Sequence, residues 1–435
     1  MAEKLNLTER LIALWDHLKL DSAHIATQLP DALAGFVQSH GDRVAGFAVC
    51  EASGIDPKPF ESLAPRMTFI AGDMGLSGKA VERALPVLPG ARCVTLKGYA
   101  APIWADCVSD NTEKFVKVLC DLPAKASKGP AGPFEGSHAG VTYRIQGQGP
   151  ALVLLPLLLS AAQWSAALPA LTDHFTIILL GGPYLGGVAV LEDRARSASY
   201  VGMVRTVFHL LAPQPGETIL DVGAGSGAVA RIAAQSFGPS NKIVGVDLNA
   251  YLLREAGDLA RQEGLTDRLR FEVGNAEKLP FAENSVDHAY SVTVLEECDA
   301  DVALSEMRRV VKPGGRIGVI VRAIDMAHPW HLDLSDELQR KVDDAPALVG
   351  PRGVADHTIY RRMNAGGFTD LTCFPMLASF NRAGGPHWSY LESRVLARLT
   401  ATETQFFHKA AEAERKTGTL FVTSPHHCVV GTKPA

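Results

Sequence analysis

The sequence predicts an α/β protein of two domains, and three observations carry that reading. Strands and helices alternate on both sides of a Pro- and Gly-rich stretch at 123–140, which implies parallel sheets covered on both faces. A strand runs into a glycine cluster, Gly223-Ala-Gly225-Ser-Gly227, and then into a helix, the pattern of a ligand-binding turn. The length of 435 residues suits two domains, or three, at about 100–200 residues each.

Composition bounds the function. Hydrophobic residues are 47% and charged residues 20%, so a mainly disordered chain is excluded. The net charge of −5 argues against a protein that coats nucleic acid, which needs a basic footprint. The seven cysteines are widely spaced with no CxxC, which favours free thiols in a reducing cytosol over a disulfide scaffold or zinc ribbon. The first residues carry no apolar stretch of the secretory kind, so a cytoplasmic location is expected. From Ile145 to Thr172 no residue is charged, but Pro150, Pro156 and Pro169 interrupt the run, which reads as a buried strand and loop rather than a membrane span.

Along the first domain, 1–190, Leu7–Leu20 has the pattern of an amphipathic helix, and Val44–Cys50 and Met67–Ala71 read as strands. A helix at Gly78–Leu88, a strand at Arg92–Leu96 and a helix at Asn111–Leu122 follow. The segment 123–140 has no helical or strand period and reads as a linker. Beyond it, Val141–Ile145, Leu152–Leu155 and Thr176–Leu180 read as strands, with a short helix at Trp164–Leu171. The second domain, 195–435, opens with a helix at Ala195–Leu211 and a turn at Pro213–Gly216 before the strand Thr218–Val222.

That strand feeds the glycine cluster. Glycines permit the sharp reversal and close ligand approach, and the following helix offers free N–H groups. The next strand, Lys242–Val246, ends at Asp247, where a carboxylate can accept both hydroxyls of a ribose. Gly223-x-Gly225-x-x-Ala228 also fits a dinucleotide fingerprint. Asp221, at the mouth of the first strand, would repel a pyrophosphate and suit a cationic amino group instead.

The series DVGAGSG, VGVDLN, VGNAEKLPFAENSVD and SVTVLEECDADVALSEMRRVVKPGGR resembles the class I S-adenosylmethionine-dependent methyltransferases of the small-molecule type. The resemblance implies a Rossmann-like domain with a seven-stranded mixed sheet and S-adenosyl-L-methionine as cofactor. It assigns Asp221, Gly223 and Gly225 to the methionine part, with Gly227 completing the turn. Asp247 would bind the ribose, Leu248 would pack on the adenine, and Asn275 and Ala276 would meet the adenine edge. Many relatives have Asp-Ala at that last position, and Asn275 keeps an acceptor while adding a donor. Lys312–Gly315 is expected to be an architectural turn.

The acceptor should lie beyond the carboxyl ends of the strands. Glu296, Glu297 and Cys298 follow the fourth strand, and Asp325, His328, Trp330 and His331 follow the fifth. Relatives often carry a His after the Leu-Glu pair, and this chain does not. The last two strands are read as Asp370–Phe374 and Cys428–Thr432, the final one antiparallel, which brings His426 and His427 to the active edge. Trp388 and Tyr390 could form a lid. Glu296, His328, His426 and His427 are the candidate bases, should the nucleophile carry a proton. A metal at His426-His427-Cys428 is not expected, because adjacent residues on a strand point to opposite faces.

The first domain resembles an α/β-hydrolase in permuted order. VTYRIQGQGPALVLLPLLLSAAQWSAALPALTDHFTIILLGGPYLGG looks like that fold's opening strands, yet it follows the segments that look like its elbow and its end. The catalytic groups are missing. Leu29, in Thr27-Gln-Leu29-Pro-Asp31, stands where the elbow serine belongs, Gly75 at the acid position with Asp73 nearby, Ala101 at the histidine position, and Pro156-Leu157 for the usual His-Gly. The expectation is a methyltransferase acting on a small, rather apolar acceptor, with a noncatalytic first domain that covers the pocket or builds a homo-oligomer. No nucleic-acid or membrane partner is expected. The alternatives are a noncatalytic cofactor-binding or assembly protein, an active hydrolase, and a nicotinamide-dependent oxidoreductase.

Overall fold

The computed structural model describes residues 5–100, 106–131, 134–344 and 349–435. The chain divides into two compact units, Met1–Ala189 and Val190–Ala435. Among the described residues no helix is long and apolar enough to cross a membrane.

The first unit has an eight-stranded sheet. Its strands are β1 (Ala23–Thr27), β2 (Val44–Cys50), β3 (Met67–Gly72), β4 (Arg92–Leu96), β5 (Phe134–His138), β6 (Val141–Gln146), β7 (Ala151–Leu154) and β8 (Thr176–Gly181). They lie in the order β4-β3-β2-β1-β7-β8-β6-β5. All pairs are parallel except β6 with β8 and β5 with β6. β1, β2, β3, β7 and β8 are buried along their whole length, which is why they read as unbroken apolar runs. The segment 123–140 is not merely a linker. Phe134–His138 forms the edge strand, and Ser127 is tied to Ser22 by both backbone and hydroxyl contacts. Five residues containing Gly136 and Ser137 carry no strand period, and only the partner β6 makes them a strand.

The second unit has a seven-stranded sheet built from β9 (Thr218–Val222), β10 (Lys242–Asp247), β11 (Leu269–Val273), β12 (His288–Val292), β13 (Arg316–Arg322), β14 (Thr369–Phe380) and β15 (Val422–Thr432). The order is β11-β10-β9-β12-β13-β15-β14, a Rossmann-like mixed sheet. β15 is antiparallel between β13 and β14, with Val321 opposite His427 and Arg322 opposite His426. Both closing strands are longer than the sequence pattern suggests. β14 runs through Pro375, which an edge strand tolerates because its outward side needs no N–H partner. β9 has β10 on one side and β12 on the other, so the chain reverses direction there and leaves a crevice at the carboxyl ends.

Helices that the sequence pattern does not show include Gly186–Arg194, Asp336–Asp343, Thr358–Ala365, Pro386–Leu396 and Ala401–Thr417. The last begins with a capping box between Thr400 and Glu403. Ser197 caps the helix Ala198–Leu211, which starts three residues later than expected because Gly186–Arg194 is a separate element.

Candidate active site

The glycine cluster makes the turn anticipated. The backbone N–H groups of Gly223 and Ala224 both donate to the Val246 carbonyl, at 2.7 and 2.9 Å, which closes the loop against β10. Gly223 has φ +81°, and a Cβ there would lie 2.1 Å from a Val294 methyl. Gly227 has φ +73°, and its Cβ would meet Phe271 and Ala256 at 2.8 and 2.9 Å. Only glycine fits either place without rearrangement. The Gly225 N–H donates to Asp247 Oδ2 at 2.8 Å, so the acid at the tip of β10 also braces the loop.

A buried ion network missing from the sequence reading supports the loop from below. Glu192 accepts from the Ser226 hydroxyl at 2.6 Å and from Arg231 at 2.5 Å, and Arg231 also reaches Glu263 at 2.8 Å. Glu192 lies 39 residues before Arg231, and nothing in the spacing joins the two.

Asp221 ends β9, opposite Tyr290 on β12. It is 1% exposed, and its Oδ2 has no hydrogen-bond partner. Burial pushes Asp221 up to about 8, with the Tyr290 hydroxyl opposing the rise and the charge of Asp247 adding to it. A buried carboxylate oxygen left unpaired beside a loop shaped for a ligand is a group in want of a cation. Asp247 accepts from the Gly225 and Asn249 N–H groups, and burial raises its pKa. Leu248 follows it with 65% of its surface exposed, unusual for a leucine and suited to a flat apolar ring. Asn275 is exposed at the end of β11, its Oδ1 occupied by the Glu277 N–H, with Ala276 half-buried beside it. These features fit an S-adenosyl-L-methionine molecule with its ammonium at Asp221 and its adenosine toward Asp247 and Leu248.

Beside the ends of β13 and β14 and the first residues of β15 lies an open recess. Arg194, Arg322, Arg394, His328, His387 and His426 line its polar side, and Trp330, Phe380, Leu391, Val395 and Val422 its apolar side. His426 Nδ1 bonds the Ser424 carbonyl at 3.0 Å, so that nitrogen carries the proton and Nε2 is left as an acceptor. Burial, then the charge of Arg194, lowers His426 to about 3. Burial lowers His328 as well, and its Nε2 has no partner. Both imidazoles are therefore neutral near pH 7.

The other two candidate bases are placed elsewhere. His427 turns to the opposite face of β15 and bonds Asp325 at 2.9 Å, as strand alternation requires. Asp325 also takes His357 at 2.7 Å; burial alone would raise it, but these partners hold it down to about 2. Glu296 is fully buried and does not line the recess. Its Oε1 accepts from the Arg322 N–H at 2.8 Å and faces that residue's guanidinium at 3.3 Å. Trp388 is core rather than lid, packed edge-on against Trp330 with centroids 5.0 Å apart, whereas Tyr390 does reach the recess. His331 stacks on Phe421, outside it.

Tyr200 and Thr293 were not anticipated. Tyr200 is fully buried with an unpartnered hydroxyl, lies 6.4 Å from the His426 ring, and feels the charges of both Arg194 and Asp221. It therefore stands between the glycine cluster and the recess. Thr293, just past β12, has φ +56°, a strained conformation for a β-branched residue, and accepts from Arg194 at 3.0 Å.

Residues 220–319 match the family model of the methyltransferase domain. The second unit thus contains a class I S-adenosylmethionine-dependent methyltransferase domain. Over 118 residues the chain is 38% identical to the ubiquinone/menaquinone biosynthesis C-methyltransferase UbiE of Legionella pneumophila, covering 27% of this chain and 47% of that protein. Over 112 residues it is 38% identical to the sterol 24-C-methyltransferase ERG6B of Gibberella zeae, covering 26% of this chain and 29% of that one. The chain spans about half the length or less of these curated relatives. Among solved structures, the YcgJ protein of Bacillus subtilis is 19% identical, with a TM-score of 0.37, covering 54% of this chain and 98% of that one.

Proposed function

We propose that the protein transfers a methyl group from S-adenosyl-L-methionine to a small, largely apolar acceptor held in the recess. The observation that carries this reading is the concentration of unpaired buried polar atoms around the glycine cluster and the recess, on Asp221, Tyr200, Arg194 and His328. A folded protein leaves such groups unpaired at a cost, and two ligands meeting there would satisfy them. The names of the relatives, a quinone-pathway and a sterol C-methyltransferase, agree with an apolar acceptor.

The bound cofactor supplies an electrophilic methyl on a sulfonium. The protein's contribution is position and charge. Asp221 anchors the ammonium of the methionine part, Asp247 the ribose hydroxyls, and Leu248, Asn275 and Ala276 the adenine. The recess sets the acceptor's nucleophile in line, which supplies much of the rate. Tyr200 borders both ligands and can orient the nucleophile through its hydroxyl. Neutral His426, with Nε2 free, is the candidate acceptor for a departing proton, and His328 is second. Glu296 acts through Arg322 as a positioning residue.

The first unit is read as a noncatalytic, permuted α/β-hydrolase-like scaffold. Three observations support this. Numbered from Phe134, the strands run across the sheet as 1-2-4-3-5-6-7-8, so consecutive strands are mostly neighbours across the join. Leu29, at the elbow position, has φ −113°, not the strained turn an exposed nucleophile needs. Ser77 donates to Glu51 at 2.6 Å and Asp73 accepts from the Gly98 N–H at 2.7 Å, so each is engaged structurally. Ala101 lies outside the described residues. Calorimetric titration with S-adenosyl-L-methionine, with NAD as control, tests the whole reading. Saturable binding of the former alone, followed by methyl incorporation into an acceptor, is expected. Binding of NAD alone, or of neither by folded protein, would overturn it.

A further inference from the structure

The recess is not simply apolar. Three arginines face it, and their counter-charges are unequal. Arg322 is met by Glu296 at 3.3 Å and Glu297 at 3.6 Å. Asp193, next to Arg194 in sequence, is directed to Arg382 and to the His387 N–H, at 3.4 and 3.1 Å. Asp343 is bound to Trp330 N–H and Gln339. Among the described residues, no carboxylate reaches Arg194 or Arg394. Arg194 donates one N–H to Thr293, lies 5.0 Å from the Tyr200 ring centre and leaves its buried Nε unpaired, and Arg394 meets the hydroxyl and ring of Tyr390, at 3.1 and 5.7 Å. The three histidines of the lining cannot balance or add to this charge, because burial and these same arginines keep them neutral. Trp330, Phe380, Leu391 and Val422 supply apolar lining.

We propose that the recess binds an amphiphilic acid, its carboxylate or phosphate held by Arg194 and Arg394 and its apolar body laid on the Trp330–Phe380 wall, and that this acid is the methyl acceptor. The second clause rests on the methyl-transfer reading above; the binding itself does not. Two guanidinium groups without carboxylate partners, lining one recess together with apolar side chains, are a usual provision for a planar or tetrahedral oxyanion. A neutral acceptor would leave two half-buried guanidinium groups beside apolar side chains with no counter-charge.

The test is calorimetric titration of the full-length protein with decanoate, decyl phosphate and decanol, each with and without S-adenosylhomocysteine. At least one of the two anions should bind at one site, about tenfold or more tighter than decanol. The tighter of the two identifies the head group as carboxylate or phosphate. Arg394→Gln should weaken the anion about tenfold and leave decanol unchanged. Arg194→Gln should do the same, and Arg194→Lys should recover part of the loss; the Arg394 variant, on a partly exposed helix face, keeps the test open if the Arg194 variants misfold. Equal binding of decanol, no binding of either anion, or anion binding indifferent to both arginines would overturn the proposal. Anion binding without S-adenosylhomocysteine binding would remove the methyl-transfer reading and leave the anion site standing. The reverse result would remove the anion site alone.

Discussion

The two sheets treat the carboxylates at their strand ends in opposite ways. In the first unit Glu51, at the end of β2, is 2% exposed, and both its oxygens are engaged, one by the Gly72 N–H and the other by Ser77. In the second unit Asp221, near the end of β9, is equally buried and its Oδ2 has no hydrogen-bond partner of good geometry, with the Tyr290 hydroxyl as its polar neighbour. Burial raises the pKa of both groups. The difference is that both Glu51 oxygens are satisfied within the fold, while Asp221 keeps one oxygen for the ammonium of the proposed cofactor complex. Depth and charge are therefore poor guides to function by themselves, and the absence of a partner is the discriminating feature.

Exchanging the two roles should fail in opposite ways. Asp221→Ala should cost about 2–5 kcal/mol of cofactor binding, a loss of about thirtyfold or more, read by calorimetry, with thermal stability kept. Glu51→Ala should do the converse. It strands the Gly72 N–H and the Ser77 hydroxyl, so unfolding should be easier by about 1–3 kcal/mol while cofactor affinity stays unchanged. A loss of affinity in the Glu51 variant would show that the two edges are not independent.

The pH dependence sharpens the contrast. Asp221 is raised from 3.8 to about 8, so the folded cofactor-free protein holds a proton that the unfolded chain has released. More protons bound in the folded state means that this group's contribution to stability falls as pH rises from about 4 to about 8. Asp221→Asn should therefore flatten that decline, seen as a higher melting temperature than wild type at pH 8.5. It should also abolish proton release on cofactor binding at pH 7, measured by calorimetry in buffers of different ionisation enthalpy. The smallest effect is expected at Tyr200. Its hydroxyl is buried without a partner, so Tyr200→Phe should leave stability within about 0.5 kcal/mol or raise it, while slowing methyl transfer. Lower stability with unchanged turnover would mark the hydroxyl as structural.

Much of the second unit was legible because its motifs are local. TILDV, the three glycines and Asp247 lie within one strand–turn–helix–strand stretch, and period and spacing suffice to place them. The antiparallel closing strand placed His426 at the active edge, and the same alternation sends His427 to Asp325. The edge strand Phe134–His138 stayed hidden because an exposed five-residue strand borrows its pairing from a neighbour rather than from its own pattern.

The sequence by itself determined the alternation of strand and helix, the loop that only glycine can make, and the acids beside it, since these follow from backbone sterics and short-range spacing. The tertiary structure alone decided which charged groups are engaged. It joined Glu296 to Arg322, Glu192 to Arg231 and Ser77 to Glu51, and left Asp221, Tyr200 and Arg194 with unpaired atoms. Pairing depends on separations of a few ångströms between residues tens of positions apart, and only the packed sheet, with its register and helix placements, fixes those distances.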